Sequence, residues 1–454
     1  MPRKGKKTVR DFRRVADIVA GQIAAGRLRA GDRLPTQRAF ARRHGIADST
    51  ASRVYGELAR RGLVVGEVGR GTFVRAAAPA QGPALAEPAL ARVDLELNYP
   101  TVPGQTELLA AGLTRLARPD VLTAALRPAS ARGTAAAREA VAALLARHDW
   151  RPAADDILFA GNGRQAIAAA FAAFVPAGGR IGVEEFTYPV VKTLAVRLGV
   201  TLVPIGCDAD GLRPDALLAA HREGPLHAVY VQPTLHNPHS LTMPDRRRSE
   251  LASVLRRIEA VAVEDAIWSF LHQDAPPPLA AYAPERVVLA DSLSKRLAPG
   301  LTLGFTVAAP GLADRLTAAL RSGAWTAGGY ALEAATGWLT DGTADKIAAA
   351  KRSEAAVRQE VAADVLGGFA VRTDPRSCFC WWDLPEPWRA DTFVAAANRR
   401  GIAVTPAASF AAGAHRAPHA VRLGLASPPR DVLRAALRTL ADLARTTPDD
   451  AALD

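Results

Sequence analysis

The chain has 454 residues, of which 49% are hydrophobic and 22% are charged, and its formal net charge is +12. This length exceeds the needs of one small core and predicts two or three domains. An uncharged apolar run of about eighteen residues is absent from the sequence, which excludes a membrane-spanning helix and favours a soluble protein. The basic start MPRKGKKTVR has no apolar run after it, so we expect no secretory signal and a cytoplasmic location.

The three cysteines, Cys207, Cys378 and Cys380, are too few and too scattered for a disulfide framework. The CFC stretch has no neighbouring partners that would make it a metal site. We therefore expect buried free thiols in a reducing compartment and no metal ion.

The positive charge is confined to one end of the chain. Residues 1–75 hold 18 Lys and Arg against 6 Asp and Glu, a net of +12, whereas the remaining residues balance to zero. A small module with the whole excess charge indicates a polyanionic partner for that module, and double-stranded DNA is the natural candidate.

Residues 8–75 show the pattern of a winged helix-turn-helix. Apolar residues recur at helical spacing from Phe12 to Ile23, which predicts a first helix. The stretch GDRLPTQRAFARRHG predicts a second helix, with Pro35 in its first turn and Gly45 at its end.

The stretch IADSTASRVYGELARRG predicts a third helix, whose first turns offer small and charged side chains to a major groove: Ser49, Thr50, Ser52 and Arg53. GLVVGEVGRGTFV predicts two short strands around a glycine turn, a wing that presents Arg70 to the DNA backbone or minor groove.

These motifs resemble the winged helix of the GntR family across residues 10–75. The resemblance implies that Arg33, Arg38 and Arg70 contact the DNA backbone and so fix the position of this module on the DNA. Asp48 stands where family members often have arginine, so the family's base preference does not transfer to this chain.

An alanine- and proline-rich stretch, residues 76–92, is predicted to be a partly extended linker. After it, helical stretches alternate with short apolar strands over some 250 residues. This alternation predicts an α/β fold with a mainly parallel sheet, whose strand ends are where ligands bind.

Four groups of polar residues follow predicted strands. AGNGRQA forms a Gly-rich turn whose amides could hold a phosphate. Asn237 lies in the loop QPTLHNPHS, Glu264 and Asp265 end the strand AVAVED, and Lys295 follows the strand VVLADS. Taken singly, such a lysine is usually solvated and such an aspartate often caps a helix. SLSK also fits the Ser-x-x-Lys pattern of serine acyl-enzymes, but the companion motifs S-D-N and K-T-G are absent.

Together these groups match the needs of an aldehyde cofactor that has a pyridine ring and a phosphate. In order and spacing, residues 95–454 resemble fold-type I pyridoxal-phosphate enzymes of the aminotransferase class. The whole chain resembles the MocR subfamily of GntR-family regulators, in which a winged helix precedes an aminotransferase-like domain. This implies a large domain at residues 93–345, a smaller α+β domain at residues 346–454, and a head-to-tail homodimer.

The resemblance also implies a role for each residue of the site. Lys295 would form the internal aldimine with pyridoxal 5'-phosphate, Asp265 would pair with the ring nitrogen, and Asn237 would bind the ring hydroxyl. The phosphate would be held by Ser292, Ser294 and the amides of Gly163 and Arg164. The ring would stack on Tyr188, and Arg422 would bind the carboxylate of an amino compound, for which a bidentate guanidinium is suited.

Three positions depart from the family pattern. Trp268 replaces a tyrosine that donates to the ring oxygen, and indole can donate a hydrogen bond but cannot relay a proton. Thr302 replaces an arginine on the phosphate, a loss that Arg164 or Arg296 could offset. His239 and Ser240 replace the threonine and glycine of NPTG.

The sequence therefore favours a transcription regulator that senses pyridoxal phosphate or an amino compound. One alternative is an aminotransferase with an attached DNA-binding module, with residual turnover possible in the regulator as well. Another is a repressor whose second half has lost its cofactor and only dimerises.

Overall fold

The computed structural model describes residues 8–24, 27–28, 32–60, 63–67, 71–74, 91–126, 129–148, 150–413, 417–448 and 451. Two compact units divide the chain, residues 1–82 and residues 83–454. Within the described residues, no helix is long and apolar enough to cross a membrane. The predicted linker at residues 76–92 lies outside the described residues except for its last two positions.

The first unit has the predicted winged helix-turn-helix. It contains α1 (Thr8–Ala24), α2 (Gln37–His44), α3 (Asp48–Arg60), β1 (Val64–Glu67) and β2 (Gly71–Val74). Strands β1 and β2 pair antiparallel. Residues 32–34 lie beside β2, because Leu34 N donates to Thr72 O and Val74 N donates to Asp32 O, both over 2.8 Å.

Thr36 and Gly45 cap the two ends of helix α2. The Thr36 side chain accepts a hydrogen bond from Ala39 N at the start, one residue after Pro35. Gly45 closes the helix at φ +63°, where a glycine is favoured, as predicted. One face of α3 packs into the core through Ala51, Val54, Tyr55 and Leu58.

The second unit is built on a seven-stranded sheet in the order β4-β12-β11-β10-β9-β5-β6. Its strands are β4 (Ile157–Ala160), β5 (Arg180–Glu184), β6 (Thr201–Ile205), β9 (Ala228–Val231), β10 (Val261–Asp265), β11 (Val287–Ser292) and β12 (Gly304–Val307). The mainly parallel sheet is confirmed, with one exception: β12 runs antiparallel to both of its neighbours. A short hairpin follows β6, formed by β7 (Cys207–Asp208) and β8 (Gly211–Leu212).

Separate apolar cores cover this sheet and are formed with its helices. These helices are α4 (Gln105–Leu113), α5 (Pro119–Ala125), α6 (Ala135–Leu145), α7 (Gly163–Phe174), α8 (Pro189–Leu198), α9 (Pro214–Glu223), α10 (Asp245–Ile258), α11 (Leu279–Tyr282), α12 (Leu293–Arg296), α13 (Pro310–Ser322) and α14 (Gly329–Thr340). The predicted alternation of helices and strands is confirmed, for example by the order α6, β4, α7, β5, α8, β6.

The C-terminal part has a four-stranded antiparallel sheet in the order β13-β14-β17-β16. Its elements are α15 (Thr343–Leu366), β13 (Ala370–Arg372), β14 (Phe379–Asp383), α16 (Ala390–Arg399), β15 (Ile402–Ala403), β16 (Thr405–Pro406), β17 (Ala420–Gly424) and α17 (Arg430–Arg445). This arrangement of strands and helices matches the predicted α+β character.

The domain boundaries differ from the predicted ones in two places. The strand β3 (Val93–Asp94) pairs with β15, and Val93 and Leu95 join the core of the C-terminal part rather than that of the large domain. Helix α15 runs without a break across the boundary predicted at residue 345. The segment after β3 thus starts in the C-terminal part and leads toward the large sheet, which places residues 96–99 near the ends of its strands.

Candidate cofactor-binding site

A cavity of about 320 Å³ lies at the carboxyl ends of the central strands. All ten residues predicted for the second unit line it: Gly163, Arg164, Tyr188, Asn237, Asp265, Trp268, Ser292, Ser294, Lys295 and Arg422. The parallel strands explain this, because their carboxyl ends meet at one edge of a sheet. Residues that the sequence did not single out also line the cavity, among them Glu96, Asn98, Tyr99 and Gln232.

Lys295 lies in the short helix α12, directly after the buried strand β11. Its Nζ donates to Asn98 O over 2.6 Å and lies 4.2 Å from the centre of the Tyr99 ring. Burial, assisted by the positive charges of Arg164 and Arg422, lowers the pKa of Lys295 to about 7. A large fraction of this amine is therefore neutral and nucleophilic near neutral pH.

Asp265 ends β10 with its carboxylate enclosed by donors. Tyr230 Oη and Gln232 Nε2 donate to Oδ2 over 2.6 and 2.8 Å, and Ile267 N donates to Oδ1 over 3.1 Å. Burial raises the pKa of this carboxyl, while the hydrogen bonds from Tyr230, Ile267 and Gln232 oppose that rise. The neighbouring Glu264 faces elsewhere and accepts from Leu279 N and Ala280 N, both over 3.0 Å, so its role is to hold the start of α11.

A cradle for an anion lies where α7 begins. Asn162 Oδ1 accepts from Gln165 N over 3.0 Å, which leaves the amides of Gly163 and Arg164 at the start of a twelve-residue helix. A Cβ at position 163 would come within 3.0 Å of Ser292 Oγ, so glycine keeps this space open. Three hydroxyls adjoin it in a chain: Ser292 Oγ lies 3.1 Å from Ser294 Oγ, which lies 2.7 Å from Thr302 Oγ1.

The two arginines considered as substitutes at the phosphate have different surroundings. Arg164 lines the cavity, and its Nε donates to Tyr188 Oη over 3.3 Å. Arg296 instead donates to Asp291 Oδ2 over 3.1 Å, and its guanidinium lies 5.2 Å from the centre of the Phe270 ring. Of the two arginines, Arg164 is the one that lines the cavity.

The loop that contains Asn237 forms the side of the cavity next to Asp265. Asn237 N donates to Gln232 Oε1 over 3.2 Å, and within the described residues its Oδ1 has no hydrogen-bond partner. The two replaced residues that follow contact other parts of the protein. The His239 ring lies 4.8 Å from that of Trp381, and Ser240 Oγ donates to Ser377 Oγ over 2.9 Å.

Trp268 lines the cavity close to Lys295. Its ring centre lies 5.3 Å from Lys295 Nζ, and the ring packs edge-on against Phe379 at 5.5 Å. The indole is thus an apolar wall of the site and is fixed by its neighbour in the C-terminal part.

Arg422 lies on β17 and is 2% exposed. Its Nη2 donates to Glu96 O over 2.5 Å and to Thr405 Oγ1 over 3.3 Å. Within the described residues, its Nε has no hydrogen-bond partner. A ligand carboxylate that entered the cavity would therefore meet a guanidinium with remaining donor capacity.

Helix α15 connects this site to the C-terminal part through buried polar contacts. Lys351, 1% exposed, donates to the carbonyl oxygens of Lys295 and Leu297. Two turns further along, Arg358 donates to Leu425 O and Pro428 O over 2.6 and 2.7 Å. The carbonyl of the predicted imine-forming lysine is therefore held by a helix that also holds the segment after β17.

The predicted DNA-contact residues are divided between surface, interior and undescribed positions. Five of these residues are exposed: Arg33, Arg38, Ser49, Ser52 and Arg53. The Arg33 side chain lies over the wing, since a Cβ at Gly71 would come within 2.7 Å of its Nε. Thr50 differs from the prediction that it faces outward: it is 6% exposed, because its position on α3 turns it toward the core. Arg70 lies outside the described residues.

Two of the three cysteines have the burial that the sequence predicted. Cys378 and Cys380 are buried free thiols, and Cys207 is half-buried. Burial raises the pKa of each thiol to about 12, so all three are protonated at neutral pH.

Comparison with known families decides the classification. Residues 125–440 match the family described as aminotransferase class I and II. The chain belongs to that family. Residues 12–74 match the bacterial regulatory proteins of the gntR family, so this aminotransferase class I and II chain begins with a GntR helix-turn-helix domain, as in the MocR subfamily.

Curated relatives match this chain over most of their length. The HTH-type transcriptional regulator YdeF of Bacillus subtilis (strain 168) is 27% identical over 418 residues, which cover 92% of this chain and 90% of the relative. The vitamin B6 salvage pathway transcriptional repressor PtsJ of Salmonella typhimurium is 24% identical over 417 residues, 91% of this chain and 94% of the relative. Regulators of this kind are thus similar to the chain from its first unit to its last.

Solved aminotransferases share the fold of the second unit. The multiple substrate aminotransferase from Thermococcus profundus superposes with a TM-score of 0.70 at 22% identity and covers 79% of this chain and 92% of its own. The α-aminoadipate aminotransferase LysN from Thermus thermophilus was solved with N-(5'-phosphopyridoxyl)-L-leucine. It gives a TM-score of 0.68 at 23% identity, and the match covers 78% of this chain and 92% of LysN. The fold-type I expectation is confirmed.

The residues present fit pyridoxal phosphate, on which the aminotransferase family depends. The cavity has an amine with a lowered pKa in Lys295 and a buried carboxylate in Asp265. It also has space at Gly163 that a side chain would fill, and a buried amide oxygen without a partner in Asn237. These match an aldehyde, a ring nitrogen, a phosphate and a ring hydroxyl.

Proposed function

We propose that this protein is a DNA-binding transcription regulator that holds pyridoxal phosphate at Lys295 and senses the cofactor or an amino compound that reacts with it. The supporting observation is the position of Lys295, whose amine shares one cavity with Asp265 and the glycine cradle. The GntR domain and the similarity to transcriptional regulators over nine-tenths of the chain support regulation as the output.

When bound, pyridoxal phosphate supplies an aldehyde that condenses with a primary amine and releases its oxygen as water. Lys295 provides that amine, and its lowered pKa keeps part of it unprotonated. Asp265 would accept a hydrogen bond from the protonated ring nitrogen, and Asn237 would bind the ring hydroxyl. Tyr188 would contact the ring. The phosphate would be held by Gly163, Arg164, Ser292 and Ser294, with Thr302 alongside.

An amino compound would compete with Lys295 for the aldehyde, and Arg422 would hold its carboxylate. The contacts of Lys295 would then change, and these contacts link its Nζ to Asn98 O and its carbonyl to Lys351. A ligand changes DNA affinity only by binding two arrangements differently, typically by about 1–3 kcal/mol. The expected homodimer presents two winged helices to a pair of half-sites.

Borohydride reduction followed by peptide mapping tests the covalent attachment. The label is expected on Lys295 in the wild type and in Lys346→Ala, an exposed lysine of α15 that serves as a matched control. Lys295→Ala should take up no label and should lose the response of DNA binding to cofactor or amino compounds. If Lys295→Ala regulates like the wild type and the wild type stays colourless in excess cofactor, the proposal is wrong.

A working aminotransferase is the second candidate, favoured by the presence of Arg422 in the same cavity as Lys295. Steady conversion of an amino donor to its keto acid in a coupled assay would support it. Binding without turnover would support the regulator. Trp268, which cannot relay a proton, favours the regulator.

A further inference from the structure

The cavity contains more charged groups than the cofactor and a simple amino acid would use. Six acidic or basic residues line it: Glu96, Arg164, Asp265, Asp291, Lys295 and Arg422. Asp291 already pairs with Arg296 at 3.1 Å. Under the proposed function, Asp265 faces the ring nitrogen, Arg164 the phosphate, Lys295 the aldehyde and Arg422 a carboxylate. Glu96 is left without a ligand group.

The side chain of Glu96, unlike its main chain, makes no hydrogen bond or ion pair within the described residues. Its main chain is fixed, because Glu96 N donates to Asp94 Oδ1 over 2.8 Å and Glu96 O accepts from Arg422 Nη2. Among the described residues, none forms a hydrogen bond or an ion pair with its side-chain oxygens. Burial, with the charge of Asp94, raises its pKa to about 7 even though Arg422 opposes the rise. A half-buried carboxylate in this condition is stabilised when a cation binds beside it.

A second unused group lies two residues further along the same segment. Asn98 is 5% exposed and lines the cavity. Its Oδ1 accepts from Ala426 N over 3.1 Å, and its main-chain oxygen accepts from Lys295 Nζ. Within the described residues, its Nδ2 has no hydrogen-bond partner, although buried amides normally have one. The segment at residues 96–98 therefore offers one acceptor with negative charge and one donor.

We propose that the effector is an amino acid with a second cationic group, a diamino acid, and that Glu96 binds this second cation while Asn98 donates to a ligand oxygen. This rests on the proposed function and names the ligand class of the same site. An uncharged aliphatic side chain would leave the Glu96 carboxylate desolvated and unpaired. An acidic side chain would be repelled by it.

The size of the preference follows from the chemistry of the pair. A hydrogen bond between charged groups, once lost, lowers affinity by about ten- to a hundredfold. A diamino acid should therefore bind at least about tenfold more tightly than the aliphatic amino acid of the same length.

The test is a set of titrations of the full-length, cofactor-loaded protein with amino acids, in which calorimetry and absorbance measure binding. L-ornithine and L-lysine are compared with L-norvaline and L-norleucine, and L-glutamate tests the opposite charge. The wild type should prefer the diamino acids by about tenfold or more. Glu96→Gln should abolish that preference by lowering the affinity for the diamino acids, and the affinity for L-norleucine should not fall. Glu360→Gln, an exposed site on α15, makes the same charge change and should keep the preference.

Equal affinities for diamino and aliphatic acids in the wild type would overturn the inference, as would a preference that persists in Glu96→Gln. Either result leaves the proposed function standing, because amino acids would still bind the loaded protein. Failure of every amino acid to bind, or of the chain to take up the cofactor, overturns the proposed function and this inference with it.

Discussion

Tyr230 Oη donates a hydrogen bond of 2.6 Å to Asp265 Oδ2, and both residues are buried at the end of neighbouring parallel strands. The same oxygen accepts from Gln232 Nε2, so its acceptor capacity is met by the protein. The tyrosine therefore helps to keep Asp265 ionised in a place where burial favours the neutral carboxyl.

Tyr230→Phe should weaken cofactor binding by about tenfold, because one hydrogen bond to a charged carboxylate contributes about 1.5 kcal/mol. Loss of this bond raises the pKa of Asp265, which weakens its pairing with a protonated ring nitrogen. Equilibrium dialysis with pyridoxal phosphate measures the affinity. Tyr282→Phe removes a hydroxyl that donates to the distant Asp245 and is the control. Equal affinities in the two variants would contradict this prediction.

The rate of cofactor attachment should rise with pH through about 7 and then level off. The cause is the lowered pKa of Lys295, since only its neutral amine attacks an aldehyde. A solvated lysine would give a rate that keeps rising toward its usual pKa of about 10.4. Stopped-flow absorbance after mixing with pyridoxal phosphate records the profile. A rate still rising tenfold per pH unit between about 8 and 9 would show that the amine is not perturbed.

Arg164→Gln should lower the affinity for pyridoxal phosphate by about ten- to a hundredfold, as expected for one charge-assisted hydrogen bond. Its affinity for pyridoxal, which has no phosphate, should change little. Thr302→Val should show the same selectivity with a smaller loss. Arg321→Gln, at an exposed position on α13, should behave like the wild type. Equal losses for the two forms of the vitamin would assign Arg164 to the ring rather than the phosphate.

In the DNA-binding unit, Arg53→Gln should reduce the slope of log affinity against log salt by about one, because one phosphate contact is lost. Thr50→Ala should leave that slope unchanged, since Thr50 is 6% exposed and cannot reach a phosphate without leaving the core. Fluorescence anisotropy at several salt concentrations compares the two. A change of slope in Thr50→Ala, with none in Arg53→Gln, would reverse the assignment.

The central part of the site could be predicted because it depends on local order in the sequence. Lys295, Asp265 and Gly163 each follow or end an apolar strand, and parallel strands bring such positions to one edge. Asp265 was distinguishable from Glu264 only through the family resemblance, since both carboxylates end the same strand. The structure separates them by their partners.

The remaining residues could not be predicted because they depend on long-range pairing. Glu96 and Asn98 enter the cavity through the pairing of β3 with β15, more than three hundred residues later in the chain. Tyr230 lies in a strand whose residues are all buried, where an aromatic side chain resembles ordinary core. The polar residue Gln232, which comes directly after that strand, was the feature of the sequence that could have indicated a polar site there. Thr50 could not be distinguished from its exposed neighbours because the helical phase at the start of α3 depends on where the helix begins.

The contacts of α15 have a mechanical consequence. Lys351 and Arg358 are seven residues apart, so they lie on one face of the helix about 10.5 Å apart. Lys351 binds the main chain of Lys295, the lysine proposed to form the imine, and Arg358 binds the chain beyond the strand of Arg422. Because one continuous helix makes both contacts, a shift of Lys295 on release by an amine should be transmitted to the segment that follows Arg422.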